Sequence, residues 1–435
     1  MRVLLVMKIA IIGAGISGLT ATYRLSPAHD VVLFEANDYL GGHTNTVDVE
    51  LEGEHHAIDT GFIVFNDWTY PNFIAMLDEL GVPSRPTSMS FSVRCESSNL
   101  EYNGSSWNGL FAQRRNLMRP SFYRMLADIL RFNRDAPEMV LSQPASDETC
   151  VGEFLTQHRY SREFAEHYLL PMGAAIWSCP LGTFEMFPIR FIVEFYKNHG
   201  LLSLSNRPTW RVVDGGSRNY VAKMAERFRD RIRLDTPIEQ VRRSPSDAIV
   251  VPRGGPPQSF DHVIFACHSD QALRMLSDPT ASETDLLSEF PYGRNIAVLH
   301  VDQTVLPKRR RAWASWNYHI CRHSSYEGAS PSSHGQAATV TYQMNMLQHI
   351  HSKHVFNVTL NSDERIDQTK VLRRFEYHHP IFTVRRAAAQ ARHHELINVH
   401  RTSYCGAYWG NGFHEDGVVS ALRVCESLMP KEADS

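Results

Sequence analysis

The hydrophobic pattern of the chain changes period several times, and those changes mark its elements. Residues 8–12, KIAII, form a continuous apolar run that ends at glycine, which predicts a parallel strand buried on both faces. The preceding MRVLLVM flows into this run with no small-residue cleavage site, so the start reads as strand and not as a secretory leader. A helix is predicted from near Ile16, and DVVLFEA predicts a second strand. Residues 213–241 read as a glycine turn, a helix with apolar Tyr220, Val221, Met224 and Phe228, and an alternating strand. DHVIFACHSDQA at 261–272 predicts a further buried strand. Pro120 opens a helix in which Phe122, Met125, Leu126, Ile129 and Leu130 share one face, with Arg124 and Arg131 opposite. Close to the C-terminus, YCGAYWGNGFHEDGVVSAL at 404–422 is a glycine-rich, aromatic-rich turn running into an apolar helix. No run reaches the roughly 18 apolar residues that span a bilayer.

Composition narrows the class. At 435 residues, two domains are the default, and 43% hydrophobic with 21% charged residues is ordinary for a globular chain. A net charge of −3 provides no field for nucleic acid, and KRRR at 308–311 reads as a solvated loop. The seven cysteines include no C-x-x-C pair, which points to reduced thiols in a cytoplasm and against a disulfide framework or zinc. QHIHSKH at 348–354 lacks local cysteine or carboxylate partners and reads as a polar surface segment, so no metal is expected.

Between the first strand and helix, Gly13, Gly15 and Gly18 form G-x-G-x-x-G, and Glu35 follows 22 positions after Gly13. Glycine there allows a tight turn, backbone approach to a pyrophosphate and close helix–sheet packing, while the helix start directs N–H groups at the phosphates. Ile16 and Ser17 would supply those groups. An acid about 20 residues on holds a ribose 2′-hydroxyl and repels a 2′-phosphate, so NADP is disfavoured while NAD and FAD stay open.

NDYLGGHTNTV places Gly41 and Gly42 just past the second strand. This order resembles the fingerprint of the flavin-containing amine oxidase superfamily. The resemblance implies an α/β fold of the two-dinucleotide-binding-domain type: a Rossmann-like FAD-binding domain (1–82, 208–292 and 396–435) plus a mixed α+β substrate domain (83–207 and 293–395). It implies non-covalent FAD held by Gly13, Gly15, Ile16, Ser17, Gly18, Glu35, Ala36, Gly41, Gly42 and His43, the last standing where the family usually has arginine. It extends to Gly61 and Phe62 in IDTGFIVFN, to Val241 as an adenine contact, and to Ala266 and Cys267. At the C-terminus it implies Gly406, with Gly417 and Val418 offering N–H groups to the flavin. Ala297 falls where many amine oxidases carry a lysine near flavin N5.

A narrower likeness runs through GGHTNTV, DTGFIVFN, HYLLPMGAAIWSCP and YCGAYWGNGFHEDG. These resemble a bacterial group of amine-oxidase-like proteins encoded beside cyclopropane-fatty-acid synthases. That likeness implies an FAD-dependent oxidoreductase that oxidises or desaturates a lipid acyl chain by hydride transfer to flavin N5. Trp177, Trp316, Tyr342 and Phe413 would line an apolar pocket, and His414 or Glu415 would handle a proton. Two alternatives are a flavin amine or polyamine oxidase, and a catalytically idle flavin-binding partner of a lipid-modifying methyltransferase. Basic and aromatic residues across 107–134 suggest contact with anionic membrane, hence a cytoplasmic protein peripheral to the inner face.

Overall fold

The computed structural model describes residues 6–144, 149–177, 179, 181–203, 205–321, 337–381, 383 and 385–429. The expected first strand forms as Lys8–Ile12 at the centre of a five-stranded parallel sheet. Asp30–Phe34 flanks it on one side, with Ile232–Arg233 beyond. His262–Phe265 flanks it on the other, with Thr402–Tyr404 beyond. The chain therefore leaves the central strand to one side and returns on the other. That reversal opens a crevice at the carboxyl ends of the strands, where Gly13 sits.

Two helices cover one face of this sheet. Ile16–Leu25 makes the first crossover, and His414–Leu428 returns from the far end of the chain to pack along it. Gly417 permits the contact, since a Cβ there would lie 2.7 Å from Ile16 Cγ2 and 2.9 Å from Ser17 Oγ. In the 213–241 stretch the helix is Arg218–Ala225, with Tyr220, Val221 and Met224 buried as its spacing predicts.

A mixed seven-stranded sheet forms the second region. Its order is Val371–Pro380, Tyr292–His300, Asn357–Leu360, Ala337–Gln343, Trp316–Cys321, Phe91–Cys95 and Leu100–Asn103. The Leu170–Trp177 helix packs on the strands Trp316–Cys321 and Ala337–Gln343, and Pro120–Leu141 packs on Ile189–Asn198. A small sheet of Phe65–Asn66, Trp210–Val213 and Ser84–Pro86 lies where the chain passes between the two regions.

Two local readings need correction. Leu130, expected on the buried face of its helix, is 54% exposed, while Phe132 takes the interior position and Arg131 lies over the Tyr160 ring at 4.0 Å. Gln348, at the head of the expected surface segment, is buried because its amide is bonded to Asp59. Among the described residues no helix is long and apolar enough to cross a membrane.

Candidate active site

The glycines of the first loop divide by what surrounds them. Gly13 has φ +104° and touches the Ala266–Cys267 backbone, where a Cβ would fall 2.9 Å from Ala266 O. At Gly18 a Cβ would lie 1.8 Å from Gly13 O, so this position closes the turn. At Gly15 a Cβ would meet nothing within 4 Å. Gly15 therefore faces open space, at the start of a helix with no capping side chain. The first N–H groups of that helix, Ile16 and Ser17 among them, are directed there without an intrahelical partner. The second glycine pair completes the cradle. Gly41 N–H donates to Ala14 O at 2.9 Å, and Gly42, with φ +58°, abuts Gly15 Cα. Glu35 braces the loop from beneath, accepting from Ala14 N–H at 2.7 Å and from Asn37, while Ala36 beside it is exposed.

His43 follows the pair and is buried among rings. It stacks on Tyr377 at 5.1 Å and lies 5.2 Å from His379 and 6.3 Å from His268. Burial pulls its pKa down to about 4, so the imidazole is neutral at pH 7. Its Nε2 has no hydrogen-bond partner, an unusual state for a buried polar atom. Gly61 passes so near His43 that a Cβ would lie 2.2 Å from His43 O, and Phe62 N–H donates to that oxygen at 2.7 Å. Burial raises the Cys267 thiol to about 12, which removes it as a nucleophile and suits a packing residue beside Gly13.

The C-terminal turn revises several sequence expectations. Gly417 N–H bonds to Phe413 O at 3.2 Å within its own helix, so it is not free for a cofactor. Gly417 instead provides the close approach to the first helix, and buried Val418 sits one residue deeper in the helix. Gly406 N–H is taken by Ser420 Oγ at 2.9 Å. Val241 lies inside an antiparallel strand with its carbonyl bonded to Ser277, whereas the backbone tied to Glu35 is that of Thr236, at 2.8 Å.

Neither expected proton handler is placed for that task. Glu415 Oε1 accepts from Asn72 N–H at 3.0 Å and Asn72 Nδ2 at 2.7 Å, and Oε2 accepts from Phe73 N–H at 2.9 Å. It caps the Pro71–Leu80 helix, whose own N-cap residue, Tyr70, provides no side-chain cap. His414 lies face-on to Phe62 with centroids 3.5 Å apart, and its Nε2 meets Tyr220 OH at 2.7 Å and Thr44 Oγ1 at 3.0 Å. Burial holds its pKa well below the ordinary value, so it is a weak base. Thr44 and Tyr220 join the site through side chains that sequence spacing did not single out. Asp59 did not stand out either. It ties Thr46 Oγ1 at 2.5 Å, Ser217 N–H at 3.0 Å and Gln348 Nε2 at 3.1 Å into one node, and burial raises its pKa to about 6.

Two of the four expected lining residues share one aromatic wall. Trp177 packs on Phe195 at 4.8 Å, and Phe195 stacks on Phe413 at 5.2 Å, so the wall spans both regions of the protein. Trp316 and Tyr342 meet edge-to-face at 4.9 Å on the sheet beneath the Trp177 helix. Trp177 Nε1, Trp316 Nε1, Tyr196 OH and Tyr318 OH are buried there without partners. Arg386 closes one side, 3.6 Å above the Phe191 ring, with burial pulling its pKa to about 10.

The open space at Gly15, the bare helix start, the crossed glycine loops and the orphaned His43 Nε2 fit a bound dinucleotide at the sheet's crevice. With a second sheet and an aromatic wall beside it, this is the architecture of a two-region FAD-dependent oxidoreductase. The model of the flavin-containing amine oxidoreductase family matches residues 16–429, and the chain belongs to that family. No curated protein matches the chain. Among solved structures it is similar to cyclohexylamine oxidase from Brevibacterium oxydans IH-35A, with TM-score 0.68, 16% identity and coverage of 97% of this chain and 99% of that one. Putrescine oxidase bound to putrescine gives TM-score 0.65 at 16% identity, covering 98% and 99%. A fatty acid isomerase from P. acnes that produces CLA gives TM-score 0.65 at 12% identity, also covering 98% and 99%. At these identities the likeness is one of fold.

Proposed function

We propose that this FAD-dependent oxidoreductase oxidises or desaturates a lipid acyl chain. The observation that carries the reading is the wall running from Trp177 through Phe195 to Phe413, with no disengaged buried carboxylate beside it. The six buried carboxylates among the described residues are Glu35, Asp59, Glu101, Glu283, Asp302 and Glu415. Each is held by hydrogen bonds or an arginine or lysine. Asp416, next to the wall, is held by Phe413 N–H at 2.9 Å. A cationic amine would find aromatic faces there, but the nearby carboxylate, Asp416, already accepts from Phe413 N–H and is balanced by the Arg386 charge, and Ala297 leaves the strand Tyr292–His300 without a lysine. The P. acnes neighbour, a fatty acid isomerase, agrees with an acyl substrate.

When bound, FAD would supply the two-electron oxidising chemistry, with dioxygen or another acceptor returning it to the oxidised state. The chain's own part is to hold, orient and dry. The glycine cradle and the helix start bind the diphosphate, His43 presents a neutral nitrogen, and the aromatic wall excludes water from the reacting carbon. The same reading includes peripheral contact with anionic membrane through residues 107–134 and a lipid-modifying methyltransferase as a partner. The amine oxidase alternative draws on the two amine-oxidising neighbours.

The test is anaerobic addition of lipid extract or amines to purified holoprotein. Bleaching of the flavin's visible bands by lipid and not by amines supports the acyl reading, and mass analysis names the product. Bleaching by amines alone overturns it in favour of an amine oxidase. No bleaching by either favours the idle partner, which co-purification with the methyltransferase would support.

A further inference from the structure

The surface outside the Pro120–Leu141 helix is unusual for a globular protein. Met118 is 88% exposed and Trp107 80%, with Leu117, Tyr123 and Leu130 each about half exposed. Single exposed apolar residues need no explanation, but a contiguous group does. These are contiguous. Trp107 stacks on Phe111 at 6.4 Å, Phe111 lies 6.4 Å from Tyr123, and Tyr123 OH donates to Leu117 O at 2.9 Å. Leu130 stands two turns beyond Tyr123 on the same helical face.

Along the stretch that carries Trp107, Met118 and Tyr123 the chain's own charge is of one sign, and the first acid beyond it, Asp128, pairs with Arg131. Between 107 and 127 the chain carries Arg114, Arg115, Arg119 and Arg124 and no aspartate or glutamate. Arg114 donates to Phe111 O and Asn108, and Arg119 to Ser98 O, all neutral acceptors. Of the four, Arg124 has a carboxylate nearby, Glu163 at 3.5 Å. The net charge of the whole chain is −3, so this basic face stands against the overall balance. The buried face of the same helix, Phe122, Met125 and Phe132, packs inward toward Ile189–Asn198, the helix that carries Phe195 into the aromatic wall.

We infer that this surface docks on an anionic phospholipid bilayer, with Trp107 and Met118 inserted at the headgroup–acyl boundary and the arginines on lipid phosphates. Aromatic and thioether groups gain by leaving water at that depth, and arginine pairs bidentately with phosphate. A folded protein partner would match the apolar group, but four arginines of which, among the described residues, Arg124 alone lies near a carboxylate, Glu163, favour a surface that is negative throughout. The inference rests on the membrane contact proposed above, but it does not depend on which substrate the flavin oxidises.

The experiment is sedimentation of the FAD-loaded protein with vesicles of phosphatidylcholine alone or mixed with phosphatidylglycerol. Binding to the mixed vesicles and not to phosphatidylcholine is expected, falling steeply as NaCl rises from about 50 to about 500 mM. Trp107→Ser/Met118→Ser and Arg114→Gln/Arg124→Gln should each lower the bound fraction about tenfold. Their flavin absorbance and urea midpoints should match those of the parent protein, because these side chains are exposed. Equal binding to both vesicles, binding to neither, or binding that survives Trp107→Ser/Met118→Ser overturns the proposal. So does a dimer in sedimentation velocity that this double variant dissociates, which would make the face a contact between two copies. Loss of vesicle binding with intact anaerobic bleaching by lipid removes the docking surface and leaves the acyl reading standing.

Discussion

Glu415→Ala separates a structural carboxylate from a chemical one. In the fold, Glu415 reaches from the C-terminal helix to the start of Pro71–Leu80 and accepts three hydrogen bonds, two from backbone N–H groups. Hydrogen bonds to a charged acceptor contribute roughly 1.5–3 kcal/mol each, and buried donors left bare cost about 1–3 kcal/mol. These terms overlap, because water reaches part of the vacated space, so we expect a net loss of about 3 kcal/mol. Glu415→Gln keeps one acceptor oxygen but turns an amide N–H toward a backbone donor, so about half that loss is expected. The damage should also reach the site, since Phe73 packs against Phe62, Tyr220 and His414. The assay pairs urea unfolding with the rate of anaerobic flavin reduction by saturating substrate. A lower urea midpoint with flavin reduction changed less than about tenfold fits a cap. An unchanged midpoint with reduction slowed about a hundredfold or more would refute the reasoning, because that is the range in which a general acid or base acts.

The two loop glycines should part company. Gly15→Ala is expected to fold normally by circular dichroism yet purify without flavin, because its methyl enters the open space at the helix start; Gly18→Ala should give little folded protein, since Gly13 O is backbone and cannot move aside. Acid should destabilise the protein well above the usual carboxylate range. Burial depresses His43, His199, His262, His300, His319 and His393 to about 4 and His268 and His379 to about 3, so on unfolding each takes up a proton below 6.5. Stability is therefore greatest above pH 6.5 and is lost as pH falls from 6.5 toward 4, by up to about 2 kcal/mol per histidine at pH 5. Asp59 and Asp416, raised to about 6 by burial, work in the opposite direction but are outnumbered. A urea midpoint that holds steady between pH 7.5 and 5 would show these histidines to be solvated. Glu283→Gln should cost about 2–3 kcal/mol, because Arg243 loses its buried carboxylate partner but keeps Asp278 at 3.3 Å, read as a lower urea midpoint that Arg243→Met/Glu283→Met partly restores.

Local features were legible where neighbours in sequence are also neighbours in space. The run Ile9–Ile12, the glycines at 13, 15 and 18, and Glu35 belong to one strand–turn–helix–strand unit, so spacing alone placed them in one crevice. The glycine pair at 41–42 was legible for the same reason. What lay beyond reach depends on contacts across hundreds of residues. Glu415 sits in the first turn of a helix, where a carboxylate complements the dipole, and nothing in its own segment reveals that it caps a helix 342 positions earlier. His414 looked chemical because it stood beside a flavin motif, and only the burial provided by Phe62, Tyr220 and Thr44 makes it a weak base. The apolar period of 120–134 placed Phe122 and Met125 inward but put Leu130 on the same face, and a helical period does not say that Leu130 and Tyr123 join Trp107 and Met118 in one exposed patch. The sequence by itself determined the parallel-sheet core and a glycine cradle for a dinucleotide, because backbone geometry and period are local properties, while the choice of FAD came from the family resemblance. Only the tertiary structure decided which buried groups are charged, which carboxylates are occupied and which aromatic rings meet, because desolvation and packing are set by atoms that the chain brings together from its two ends.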